Sequence, residues 1–133
     1  LPSTPIAELR NVWKIYRIGS VEYPALRGVN LSIDRDSFIS IVGPSGSGKP
    51  TMLHLIGALD KPSKGEIYVD GIEISRLGDN KLAEFRNKTI GFIGKILTLL
   101  ILSMIPAAEL VDAQAEYFIV TNISWGMRLL QGI

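Results

Sequence analysis

The chain has 133 residues, 14 Lys or Arg against 13 Asp or Glu, a formal net charge of +1 and 47% hydrophobic residues. That is length for one small domain with enough apolar content for a core, which excludes a multi-domain machine, a supercharged nucleic-acid binder and a mainly disordered chain. The absence of Cys excludes a disulfide framework and a thiolate nucleophile, and the single His54 cannot build a multi-histidine metal site.

The opening LPSTPIAELR has two prolines and an acid where a signal peptide needs a basic region and an apolar run, so a cytosolic start is expected. Composition changes near residue 94: charged residues fall from 23% of residues 1–94 to 13% of residues 95–133, and apolar residues rise from 40% to 62%. The most apolar run, Ile96 to Ile105, is closed by Pro106 after ten residues. A membrane-spanning helix needs about 20, so no transmembrane segment is read.

Ala7 to Tyr16 mixes apolar and polar positions in the manner of an edge strand, and Gly19-Ser20 follows as a turn. Ala25 to Ile33 alternates at Val29, Leu31 and Ile33, Asp34-Arg35-Asp36 is a tight turn, and Phe38 to Val42 is a further strand, buried and paired with the preceding one as a hairpin. Met52, Leu55, Ile56 and Leu59 then fall at helical spacing. Breakers from Asp60 to Gly65 precede short strands around Asp70-Gly71. Asp79 to Asn87 is a helix candidate with Asp79 as N-cap and Leu82, Phe85 and Arg86 on one side, and Thr89 to Ile93 is one more strand. Beyond it, Ala107 to Phe118 is expected as a helix and Ile119 to Trp125 as a strand.

The chemistry concentrates between the strand ending at Val42 and the helix carrying Met52. Gly43, Pro44, Ser45, Gly46, Ser47, Gly48 and Lys49 match G-x-x-x-x-G-K in the strand–loop–helix setting that its mechanism requires. The glycines let successive backbone N–H groups converge on an anion, the helix adds its unpaired N–H groups and positive dipole end, and Lys49 reaches phosphate as a point charge. Position 50 departs from the pattern. A Ser or Thr there binds Mg²⁺ through its hydroxyl and phosphate through its N–H; Pro50 has neither, and Thr51 is displaced by one residue.

Residues 6–93 resemble the N-terminal part of an ATP-binding cassette (ABC) transporter ATPase, most closely the cytosolic subunits of lipoprotein-release and macrolide-efflux systems. The likeness is carried by LRNVWKIY, ALRGVNLSI, GPSGSGKPT, HLIGALDKPSKGEIYVDG and FRNKTIGFI. It implies an α/β fold, a partial P-loop NTPase core with an antiparallel accessory sheet that includes residues 66–74. It also implies ATP as ligand, phosphates held by Gly43 to Thr51, and Tyr16 as the aromatic that stacks on adenine. From composition alone, Tyr16 reads as a half-buried packing residue, as Trp13 does. Mg²⁺ is implied by the family, but its ligand position is Pro50. A transmembrane permease subunit and a second ATPase subunit are the implied partners, nucleic acid is not, and the implied location is cytoplasmic, peripheral to the inner face of the cell membrane.

The resemblance also sets expectations that the chain does not meet. Where the family places an aromatic residue and a glutamine after the strand ending at Ile93, this sequence has Gly94-Lys95, and a protonated Lys95 cannot ligate metal. No Leu-Ser-Gly-Gly signature, Asp-Glu strand end or switch histidine occurs in residues 95–133. Two accounts of residues 94–133 stand side by side: an apolar tail produced by a frameshift or fusion, or a genuine tail that caps the sheet. No catalytic or metal-binding residue is assigned. The expected function is the ATP-binding subunit of an ABC-type export system, truncated and hydrolysis-incompetent as given; the alternatives are a non-catalytic nucleotide- or phosphate-binding fragment and a structural remnant without ligand.

Overall fold

Gly19, at φ +63, and Ser20 turn the chain back on itself, so that β1 (Ala7–Ile18) and β2 (Val21–Ile33) form a long antiparallel hairpin running from Ile18 opposite Val21 to Ala7 opposite Ile33. The computed structural model describes residues 4–44, 46–93, 117–122 and 126–131. The remaining elements are β3 (Phe38–Ile41), α1 (Lys49–Ile56), β4 (Lys64–Val69), β5 (Ile72–Glu73), a 3₁₀ turn (Ile74–Arg76), α2 (Asp79–Thr89), β6 (Ile90–Ile93), β7 (Tyr117–Asn122) and β8 (Gly126–Gln131). They make two four-stranded sheets, one ordered β2-β1-β4-β5 and wholly antiparallel, the other ordered β3-β7-β8-β6. This mixed α/β arrangement, a loop-bearing strand beside an antiparallel sheet, is the architecture expected from the sequence.

Two pairing expectations are corrected. β1 is not an edge strand: it bonds β2 on one side and β4 on the other, with Ala7 opposite both Ile33 and Val69. The reason lies in its side chains, because Ala7, Leu9 and Val12 are all buried and need cover. Nor do residues 25–33 pair with residues 38–42. The corner after β2, where Asp36 adopts φ +56 and Ser37 Oγ donates to Asp34 O at 2.7 Å, sends β3 into the other sheet. Arg35 locks this corner, donating from Nε to Thr4 O at 3.2 Å and from Nη2 to Asp70 Oδ1 at 2.6 Å. The accessory sheet thus draws on residues 7–33 and 64–73, without residues 38–42.

The core is a single apolar cluster in which Leu9, Val12, Ile33, Ile67 and Val69 of the first sheet meet Leu53, Leu55 and Ile56 of α1 and Leu82 and Phe85 of α2. Burying each such side chain contributes roughly 1.5–3 kcal/mol. α1 is shorter than the spacing of apolar residues implies. Ala58 enters the left-handed region at φ +57, its N–H donates to Leu55 O at 3.2 Å, and the Leu59 N–H reaches His54 O at 2.8 Å, a Schellman closure. Leu59 therefore lies beyond the helix and is 48% exposed instead of joining the core. Arg86 fixes the closure by donating to Ala58 O at 2.8 Å.

The Asp70-Gly71 turn between β4 and β5 forms as expected, as do α2 and β6. Asp79, however, does not cap α2: Gly78 is the capping residue with no side-chain bond, and the Asp79 carboxylate instead pairs with Lys61 Nζ at 2.6 Å. Val42 is 51% exposed rather than buried, since β3 ends at Ile41. Tyr117 and Phe118 belong to β7 and not to a helix. β7 pairs with β3, and β8 runs parallel to β6, so residues 117–131 supply strands between β3 and β6. The expected helix over 107–116, the apolar run 96–105, Lys95 and Trp125 lie outside the described residues. Among the described residues no helix is long and apolar enough to cross a membrane.

Candidate phosphate-binding site

β3 leads directly into the loop of residues 42–48, and α1 begins at Lys49. Loop shape follows from its glycines. Gly46 at φ +80 and Gly48 at φ +93 adopt a left-handed backbone that other residues enter only at a cost. A Cβ on Gly48 would also lie 2.6 Å from Ala25 O, so the loop is seated against the backbone of β2. The Ser47 N–H closes the turn onto Pro44 O at 3.2 Å.

Gly48 is the N-cap of α1 and offers no side-chain acceptor to the first turn. Lys49 is 4% exposed, and its ammonium curls back to donate to Gly43 O and, at 2.9 Å, to Pro44 O. A buried ammonium requires such acceptors. The loop thus places a desolvated cation at the positive dipole end of α1, and this set fits the phosphates of a nucleotide.

The same test fails for Mg²⁺. Pro50 stands exposed in the first turn of α1, where its missing N–H costs the helix nothing, but it brings no oxygen ligand and one donor fewer for phosphate. Thr51 sits one residue further along α1 and is half-buried. Among the described residues no group of three or more His, Asp or Glu could hold a metal ion. The residues present do not fit a loop-bound Mg²⁺.

The chain matches the ABC transporter family over residues 26–116. It belongs to the ABC transporter ATP-binding family. It is 48% identical over 95 residues to an uncharacterized ABC transporter ATP-binding protein of Thermotoga maritima, covering 71% of this chain and 41% of that protein. It is 50% identical over 86 residues to the uncharacterized ABC transporter ATP-binding protein MJ0796 of Methanocaldococcus jannaschii, covering 65% of this chain and 37% of the relative. The dimeric structure of MJ0796 in a post-hydrolysis state, bound to ADP and Pi, superposes with a TM-score of 0.64 at 49% identity, covering 65% of this chain and 38% of that one. The chain therefore spans about two-fifths of the length of these ABC relatives.

Within this ABC fragment the sequence-derived site residues divide. Gly43, Pro44, Gly46, Ser47, Gly48 and Lys49 form one continuous loop at the α1 terminus, with Pro50 and Thr51 in its first turn; Ser45 lies outside the described residues. Tyr16 is on the outer part of β1, 36% exposed, directly opposite Tyr23 on β2, with the Lys14 ammonium 5.3 Å from its ring centre. Trp13 is half-buried and donates to Asn11 Oδ1 at 3.4 Å, as a packing residue does. His54 is exposed on α1.

Tyr23 and Arg27 of β2, which the sequence reading does not single out, line an open depression of about 340 Å³ together with Gly46 and Ser47 of the loop. The signal was the Gly19-Ser20 turn: once it sets the hairpin register, Tyr23 falls opposite Tyr16.

Proposed function

We propose that this chain is the phosphate-binding part of an ABC export ATPase subunit, that it binds ATP through Gly43 to Lys49 without Mg²⁺, and that it does not turn ATP over. The observation that carries the reading is the pairing of a buried Lys49 with a glycine loop whose helix has Pro50 in its first turn. Loop N–H groups and the α1 dipole attract phosphate without metal. Hydrolysis is different, because phosphoryl transfer depends on metal, oriented water and positive charge acting together. Pro50 removes a metal ligand, and Lys95 stands where the family places its water-contacting glutamine.

In this reading residues 6–93 are the N-terminal part of the nucleotide-binding domain, with residues 94–133 as a tail of separate character. The relatives that share this sequence include the ATP-binding protein of a lipoprotein-releasing system and macrolide export ATP-binding/permease proteins. By that kinship the partners are a permease subunit and a second ATPase subunit, and the location is the cytoplasmic face of a membrane. The test is calorimetric titration of ATP into the parent and Lys49→Ala proteins, each with Mg²⁺ and with chelator. The expected result is weak binding, equal in both solutions and lost in Lys49→Ala. Binding only when Mg²⁺ is present, or full affinity in Lys49→Ala, overturns the reading.

A further inference from the structure

The phosphate loop is anchored at its two ends by different sheets. Gly48 rests on the Ala25 carbonyl of β2 in the first sheet. At the other end, Gly43 lies two residues past the last residue of β3, about 7 Å along an extended chain, and its carbonyl accepts from the buried Lys49 ammonium, as that of Pro44 does. The acceptors that set the position of Lys49 are therefore only as well fixed as β3.

β3 has four residues, and among the described residues β7 is its one strand partner, with Phe38 opposite Val120 and Ile41 opposite Tyr117. β6 likewise pairs with β8 alone. β7 and β8 bond each other from Tyr117 opposite Gln131 to Asn122 opposite Gly126. Without these two strands β3 and β6 share no ladder, although Ile39, Ile41 and Ile90 lie in or against the core, where backbone groups need partners. The match to the ABC transporter family nevertheless ends at residue 116, one residue before β7 begins. The strands that secure β3 in this chain thus lie past the family match.

We propose that residues 117–131 are positioning residues for the phosphate loop: their two strands, set between β3 and β6, hold the end of β3 where Gly43 and Pro44 can keep Lys49 in place, so that phosphate binding and the pairing of this tail are coupled. The inference rests on the phosphate-binding reading above. Coupling of this kind is reciprocal, since whatever favours the paired tail favours the ligand and the reverse.

The experiment works on the full chain, with inorganic tripolyphosphate in chelator as the probe and hydrogen exchange as the second readout. Ile119 stands opposite Ile39 on one side and Leu129 on the other, and a proline there removes a ladder bond from the middle of the sheet. In Ile119→Pro the amides of residues 38–41 should exchange faster and tripolyphosphate should bind roughly 5- to 150-fold more weakly, the usual span of coupling between two sites. The amides of the β1–β2 hairpin should keep their protection, and Ile119→Val should behave as the parent. In the parent, tripolyphosphate at about 100 times its Kd should slow exchange in β7 and β8 by up to roughly 100-fold. Full affinity in Ile119→Pro, or exchange in β7 and β8 that ignores the ligand, overturns the inference and leaves the loop as a phosphate site. A cysteine pair tests the register whether or not the proline variant folds, because the chain has no Cys of its own. Ser40→Cys with Phe118→Cys, directly opposite, should oxidise to a disulfide and keep tripolyphosphate affinity, whereas Ser40→Cys with Thr121→Cys, about 10 Å out of register, should not bridge. No bridge in the first pair, or a bridge in the second, overturns the inference. If the first bridge forms but tripolyphosphate does not bind the parent, the nucleotide reading falls and takes the positioning role with it, while the strand pairing stands.

Discussion

Gly48 is packed tightly onto Ala25 of the antiparallel accessory sheet: a methyl group on Gly48 would reach within 2.6 Å of the Ala25 carbonyl oxygen and 2.9 Å of Leu26 Cδ2. The first atom is backbone and cannot step aside without moving β2. The site is therefore held by the strand that forms its open wall, and a change at the loop is felt in the sheet.

Gly48→Ala should consequently destabilise the chain by about 1–3 kcal/mol from the φ of +93 alone, with a further loss from the clash. Gly46→Ala is the control, since at φ +80 its added methyl meets nothing within 4 Å. Urea midpoints of the two variants, compared with the parent, check the ranking. Equal midpoints would show that the contact with Ala25 carries no weight.

Leu55 is fully buried between α1 and the first sheet, in the same cluster as Ile67 and Val69. Leu55→Ala should cost about 2–5 kcal/mol in unfolding free energy. Because α1 also presents Lys49, the same variant should weaken phosphate binding at temperatures where the fold is still intact. Calorimetric unfolding and a tripolyphosphate titration on one preparation measure both effects.

The loop and its flanking elements were legible because their signals are local: a strand, seven residues of fixed pattern and a helical period, with Lys49 and the glycines named by position. The pairing of strands was not. The Phe38–Ile41 segment looks equally suited to joining its neighbour in sequence, and the corner with Asp36 at φ +56 carries it into the other sheet instead. The pairing of the tyrosines was also hidden, since Tyr16 and Tyr23 stand opposite one another only through the register set at Gly19-Ser20. Asp79 shows the same limit in miniature: a cap by sequence, it is drawn away by Lys61, eighteen residues earlier in the chain.

That Lys61 contact has a pH signature. Hydrogen bonding to Lys61 holds the Asp79 carboxyl below its usual value, as Arg10 does for Glu8 and Lys88 for Glu84. A depressed carboxyl stabilises the fold above its unfolded pKa, about 4 for Asp and Glu, and that contribution is lost as pH falls through the lower folded value. Thermal midpoints should accordingly drop as pH is lowered below about 4. In Asp79→Asn the drop should be shallower. All three carboxylates are at the surface, so high salt should flatten the profile in the parent as well.

Pro50→Ser tests the argument about metal most directly. The first turn of α1 tolerates proline because its N–H would be unpaired in any case, so the substitution leaves the fold intact and its effect appears in ligand binding. Serine returns one hydroxyl for Mg²⁺ and one N–H for phosphate, and a charge-assisted contact contributes about 1.5–3 kcal/mol. Mg²⁺ should then tighten ATP roughly 10- to 150-fold in Pro50→Ser while leaving the parent unchanged. Turnover should stay negligible, far below the roughly 1 s⁻¹ at the low end of ordinary enzymes, because Lys95 still occupies the position where the family has the glutamine that contacts the attacking water. Titrations with and without chelator, followed by a phosphate-release assay, read the two outcomes separately. A parent protein whose ATP affinity already rises with Mg²⁺ would place the metal on some ligand other than residue 50. Turnover restored by serine alone would show that residue 50 was the one missing part of the catalytic apparatus.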